Sequence, residues 1–290
     1  MRWRPRWRIA TPLENSETNG NRENGSIRIP PAADSEKRAD VDARKCGVRV
    51  SQVAVIILSG AVGLAVGPVL VQMASRVFSD DRVPLIAPGG VVGVWRSDVV
   101  AAEPGPRRRV VLLSLASAVL LAATGAIIGW EWVLPAYLWF TATTWLLTLT
   151  DVARKLIPNR ILYPATVVGA ALLVAGGLLT GEAWALGRAV VGASAYFGVL
   201  FVLAMIARGG FGFGDVKLGF LLGMYLAYQS WGTLVVGGVG AFLLGGVVGL
   251  LLIIFRIRGR KDKIPFGPYL VAGAYLALAF GPEIVDWYLS

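Results

Sequence analysis

The chain contains no histidine and only one cysteine, Cys46. The first absence excludes a Ser-His dyad or triad and a zinc site of the His-Glu-x-x-His kind. The second excludes a disulfide framework and a multi-cysteine metal site. It also leaves the one thiol without the histidine base that a cysteine nucleophile uses. No metal and no cofactor is therefore expected. Charge is scarce too: 16% of the 290 residues are charged, against 56% hydrophobic. Strict alternation of polar and apolar residues is missing, which argues against a membrane β-barrel. What remains for acid–base chemistry is carboxylate.

The hydrophobic residues are unevenly spread. Met1 to Arg49 is polar and rich in Asn, Pro and Arg. It has too little apolar surface to offset the entropy of ordering, so residues 1–47 read as a disordered tail. Beyond it, apolar stretches of spanning length recur, each near the roughly 20 residues that cross a bilayer core. Eight candidates follow: Val48–Ala74, Val110–Trp130, Trp132–Thr150, Ile161–Thr180, Trp184–Ala207, Val216–Tyr228, Trp231–Phe255 and Gly267–Leu289. The expected fold is all-α, a polytopic transmembrane bundle, because helices satisfy their own backbone groups inside lipid. Small residues four apart, Gly63 with Gly67, Gly245 with Gly249 and Gly273 with Ala277, suit close helix contacts.

The loops alternate in charge. One set holds Arg76 to Arg109, then Arg154, Lys155 and Arg160, then Arg208 and Lys217, then Arg256 to Lys263. The other holds Glu131, Glu182, Glu283 and Asp286, with Arg188 as its basic exception. The positive-inside rule puts the first set in the cytoplasm and the C-terminus outside. Eight crossings then place the tail outside, although it carries Lys37, Arg38, Arg44, Lys45 and Arg49. A first span that does not cross, a tail translocated against the rule, and a downstream start of translation all remain open. Membrane lipid is an expected partner, nucleic acid is not, and the oligomeric state is not legible.

Two carboxylates stand at the cytoplasmic membrane boundary. Asp151 follows the third span directly, and Asp215 closes the run Gly209-Gly210-Phe211-Gly212-Phe213-Gly214 ahead of the sixth. Ionisable groups at such depth are costly and tend to be functional. Two carboxylates in one site split their pKa values, so that one holds a proton while the other is ionised. That is the requirement for cutting a peptide with an activated water. Asp215 at a helix N-terminus is expected to be the ionised base, and Asp151 near a C-terminus the acid. Acids that carry protons through a transporter are the competing reading.

These residues resemble the type IV prepilin peptidases, a branch of the GxGD intramembrane aspartic proteases. Gly212-Phe213-Gly214-Asp215-Val216-Lys217 is similar to the family's Gly-x-Gly-Asp-x-Lys. Asp151 with Ile157-Pro158-Asn159 resembles its first aspartate with the following Pro-Asn, and Ile264-Pro265-Phe266-Gly267-Pro268 its C-terminal signature. Presenilin-type relatives share Gly-x-Gly-Asp but end in Pro-Ala-Leu, which is absent. The resemblance implies an aspartic endopeptidase of the bacterial plasma membrane, cutting the basic leader of prepilin or pseudopilin precursors at the cytoplasmic face. Asp151 and Asp215 would be catalytic. Gly212, Gly214, Lys217, Pro158, Asn159, Pro265 and Gly267 would shape the site or bind substrate. Residues 110–290 would be the peptidase domain, and 48–109 a helix and loop left from the family's N-terminal region. The loop from Val77 to Arg109 has no cysteine, so peptidase activity without N-methylation is expected. A non-catalytic relative acting as a scaffold is the remaining reading.

Overall fold

The computed structural model describes residues 32–76, 104–206, 212–256 and 265–289. Residues 1–31, 77–103, Gly209 to Phe211 and most of the run Arg256 to Lys263 lie outside them. The chain divides into two units, Met1–Val50 and Ser51–Ser290. In the first, residues 32–50 are helical, inside the stretch read as a tail. Ala, Glu, Lys and Arg from Ala32 onward are good helix formers, which a judgement based on hydrophobicity overlooks.

The described residues form eight helices and no strand: α1 (Ala32–Arg76), α2 (Pro104–Ile128), α3 (Leu134–Arg154), α4 (Asn159–Leu179), α5 (Ala183–Ile206), α6 (Phe213–Gln229), α7 (Trp231–Ile254) and α8 (Gly267–Leu289). The part of α1 in the second unit and five others (α2, α4, α5, α7 and α8) are long and apolar enough to cross a membrane. The two that fall short are α3 and α6, which carry Asp151 and Asp215. α3 holds five threonines, and α6 has 17 residues. Both can deviate because they face protein. Every residue of α6 from Asp215 to Tyr228 is buried except Lys217 and Phe220, with α5, α7, α8 and α4 packed around it. The threonine hydroxyls of α3 are satisfied locally, as when Thr144 and Thr148 donate at 2.8 Å to the carbonyls of Phe140 and Thr144.

Close contacts between helices are made by small residues. A Cβ added to Gly63 or Gly67 would lie 2.7 Å from a Cα of α2. At Gly63 the approach ends in a hydrogen bond, donated by the Ser117 hydroxyl to the Gly63 carbonyl at 2.8 Å. Gly273 meets Ala241 on α7 in the same way, and Gly223 meets the Gly192 carbonyl on α5. Gly249 differs, with nothing within 4 Å of its Cβ position, so its spacing from Gly245 makes no helix contact here. An aromatic cluster of Tyr137, Phe140, Tyr225 and Tyr275 joins α3, α6 and α8. Tyr137 donates to the Tyr225 carbonyl at 2.9 Å, tying α3 to α6.

The two ends of the bundle differ. Exposed Trp130, Trp132, Trp184, Trp231, Trp287 and Tyr288 gather at the end that carries Glu131, Glu182 and Asp286, the expected position of an interfacial aromatic belt. Arg188 at that end donates to the carbonyls of Ala227, Tyr228 and Gln229. The basic exception is thus a cap on the C-terminus of α6, where a cation also complements the helix dipole. Gly223→Ala is expected to lower the thermal unfolding temperature in detergent, through overpacking that costs about 1–3 kcal/mol. Gly249→Ala, in open space, is expected to leave it unchanged or slightly raised.

Candidate active site

Asp151 lies in the last turn of α3, which ends when Lys155 takes a left-handed conformation (φ 54°) and returns its N–H to the Asp151 carbonyl. Asp215 lies in the first turn of α6. Both fall just beyond the apolar spans as read from the sequence. Their carboxyls are nevertheless covered by protein, with 4% of Asp151 and 7% of Asp215 exposed.

The two carboxyls meet at Gly267, the first residue of α8. The Gly267 amide donates to Asp151 Oδ2 at 3.1 Å. A Cβ on Gly267 would sit 2.7 Å from Asp151 Oδ2 and 3.5 Å from Asp215 Oδ1. The two oxygens are therefore within about 6 Å of each other, a range over which like charges couple strongly. Residues far apart in sequence, Asp151, Asp215 and Gly267, converge on one point.

The glycines of the motif provide space rather than unusual backbone. Gly212 precedes α6 with φ −75° and ψ 134°, values open to any residue. A Cβ there would lie 3.1 Å from Asp215 Oδ2, and one on Gly214 would lie 3.0 Å from the Cβ of Ile157. Gly214 thus lets the start of α6 close onto the segment that joins α3 to α4. Over the described part of the glycine run, the service of the glycines is close approach.

Pro158 stands immediately ahead of α4, its carbonyl accepting the amides of Ile161 and Leu162. Its position is that of a helix starter. Pro265 precedes Phe266, whose carbonyl opens α8 by accepting the amides of Tyr269 and Leu270. Lys217 donates to Asn159 Oδ1 at 3.0 Å, and its ammonium lies 5.2 Å from the centre of the Tyr163 ring and 5.0 Å from that of Phe213. This contact joins the start of α6 to the start of α4. Asn159 and Lys217 each stand out in the sequence, but their pairing does not, and nothing there marks Tyr163 as a partner.

Burial raises both acids above the ordinary carboxylate range. Burial, with the neighbouring Asp151 charge added, pushes Asp215 up to about 7, against a smaller lowering by the Gly212 backbone. Burial also raises Asp151, and there the Gly267 amide pulls the other way. The sequence argument credited Asp215 with the helix N-terminus of α6. It had no means of seeing that Asp151 faces a second helix N-terminus, that of α8.

Residues 138–254 match the type IV leader peptidase family, a stretch that contains both aspartates. The prepilin leader peptidase/N-methyltransferase of Aeromonas hydrophila is 32% identical over 184 residues, covering 62% of this chain and 61% of that protein. The protein of the same description from Bacillus subtilis (strain 168) is 31% identical over 177 residues, 61% of this chain and 68% of that protein. The one from Pseudomonas aeruginosa is 30% identical over 186 residues, with 63% and 62% covered. The chain thus spans about three fifths of the Aeromonas hydrophila and Pseudomonas aeruginosa relatives. No solved structure matches it. By motifs, fold and relatives together, the chain belongs to the type IV leader peptidase family.

Proposed function

We propose that this protein is a membrane aspartic endopeptidase that removes the leader from prepilin-like precursors at the cytoplasmic face of a bacterial plasma membrane. The observation that carries the reading is the convergence of Asp151 and Asp215 on Gly267. Relatives described as prepilin leader peptidases supply the substrate class. The basic residues at the site's end of the bundle, Arg154, Lys155, Arg160 and Lys217, favour a cytoplasmic location under the positive-inside rule.

The chemistry follows from the two protonation states. Asp151, ionised and held by the Gly267 amide, takes a proton from a water placed between the carboxyls. The water oxygen bonds to the scissile carbonyl carbon. Asp215 gives its proton to the carbonyl oxygen, leaving a neutral tetrahedral diol. On collapse the C–N bond breaks, Asp151 passes its proton to the leaving amine, and Asp215 recovers one from the diol. The pair ends as it began, with one proton on Asp215. Burial supports each step, because preorganised groups act more strongly where water is excluded.

The decisive experiment co-expresses the protein with a prepilin from the same genome and follows leader removal by mass spectrometry. Wild type is expected to cut, and Asp151→Asn and Asp215→Asn, at matched membrane levels, are expected not to. Cleavage surviving both substitutions would sink the mechanism. We also propose that cleavage occurs without N-methylation, since the segment 77–109 lacks cysteine. The product is then expected at the unmethylated mass.

Three further outcomes follow from the site. Gly267→Ala drives a methyl group into Asp151 and is expected to lower the cleavage rate by about 100-fold, the scale of a roughly 1 Å misplacement, with expression intact. The pH profile of kcat/KM is expected to fall on its alkaline side near pH 7, as Asp215 loses the proton it must donate. Stability has a matching sign. Asp215 has its pKa raised on folding, so its carboxyl favours the folded state least above about pH 7, and the penalty disappears below its unfolded value near about 4. Asp215→Asn is expected to melt higher than wild type at pH 8, with the gap closing towards pH 4.

A further inference from the structure

The two acids stand on helices that hardly touch. α3 packs on α2, α4 and α8 and only slightly on α6. The aromatic contact between them, Tyr137 and Phe140 with Tyr225, lies ten residues along α6 from Asp215, roughly 15 Å at 1.5 Å per residue. At the level of the carboxyls their spacing is left to other elements. One is the start of α8, through Gly267. The other is the start of α4, which residues 155–158 tie closely to the end of α3 and hence to Asp151.

Two contacts join the start of α4 to the start of α6. Ile157 occupies the space left by Gly214, whose added Cβ would lie 3.0 Å from that of Ile157. On the outer side the Lys217 ammonium donates to Asn159 Oδ1 at 3.0 Å and lies 5.2 Å from the centre of the Tyr163 ring and 5.0 Å from that of Phe213. Asn159 with Tyr163, and Phe213 with Lys217, are i, i+4 pairs, so each helix presents two stacked side chains to the other. The ammonium joins them through one hydrogen bond and two ring faces. It does not act on Asp215 directly. Lys217 stands two residues on, about 200° round the helix, and the charge that bears on Asp215 is that of Asp151.

We propose that Lys217, Asn159 and Tyr163 are positioning residues, a clasp between α4 and α6 that sets the spacing of Asp151 and Asp215. The proposal rests on the peptidase reading above and adds what holds the pair in register. Tyr163 and Phe213 are each 53% exposed, so the clasp lies at the surface, where such contacts add little to overall stability. Its leverage is on geometry. A shift of α4 against α6 moves one carboxyl relative to the other, and misplacement by about 1 Å is enough to cost catalysis heavily.

The test measures kcat and KM for a prepilin in proteoliposomes, across pH, for Lys217→Met, Asn159→Ala and the double variant. Each single change is expected to lower kcat about tenfold or more with KM little altered, and the double variant to be no slower than the worse single one. Lys217→Arg, which can still donate to Asn159 from between the rings, is expected to recover most of the loss, and Tyr163→Ala to show part of it. Asp215 is faced by the Asp151 carboxyl from α3 and by uncharged Gly267 from α8, with Arg154, Lys155 and Arg160 exposed nearby. Loosening the clasp draws the Asp151 charge away, so the alkaline limb of kcat/KM is expected to move to lower pH in Lys217→Met. A smaller folded fraction would lower the rate equally at every pH. A raised KM with kcat unchanged would overturn the proposal, as would additive losses or an unmoved alkaline limb. Aspartate-dependent cleavage with a wild-type kcat in Lys217→Met would leave the peptidase reading standing and reject only the clasp. One readout needs no cleavage at all. The gain in unfolding temperature that Asp215→Asn brings at pH 8 is expected to fall to about half or less in the Lys217→Met background, and an undiminished gain would reject the clasp whatever the protein cuts.

Discussion

Two carboxyl groups must be kept out of hydrocarbon while remaining beside it, and the bundle is organised around that requirement. A lipid-facing helix can carry them only at high cost. Here they ride on α3 and α6, the two helices that are not apolar and long enough to count as spans. Both are shielded by their neighbours. α6 in particular is enclosed by α4, α5, α7 and α8. Because it need not match a bilayer, it can be 17 residues long and carry an acid in its first turn.

Enclosing α6 so closely requires small residues where helices touch, and glycine supplies them at Gly223 and at Gly273 in the flanking α7–α8 pair. The same economy of space extends into the site. Gly214 lets α6 approach Ile157, and Gly267 lets the start of α8 reach both carboxyls. The far end of α6 is fixed by Arg188 and by the Tyr137 hydroxyl bonded to the Tyr225 carbonyl. Its near end is fixed to α4 by Lys217 and Asn159. Asp215 is thus presented by a helix anchored at both termini, which is what a group positioned for chemistry needs.

Each carboxyl of the pair is met by a backbone amide, that of Gly267 for Asp151 and that of Gly212 for Asp215. Two like acids in similar burial would share a proton evenly. The Gly267 amide favours the ionised form of Asp151, while burial and the neighbouring charge favour the protonated form of Asp215.

Most of the architecture is legible from composition and period. Apolar runs of spanning length specify helices, loop charges specify which ends lie together, and the lack of histidine leaves carboxylates for the chemistry. Asp151, Asp215 and the surrounding motif residues stand out because acids at a membrane edge are rare. The helix from Ala32 lies in a stretch where hydrophobicity is a poor guide and helix propensity acts. The sequence by itself determined the helices, their approximate ends and the two acids, since these depend on residues near one another in the chain. Only the tertiary structure decided that Lys217 meets Asn159, that Arg188 caps α6, and that Gly267 stands between the carboxyls. Those are contacts between helices distant in sequence, and neither period nor composition encodes which faces meet.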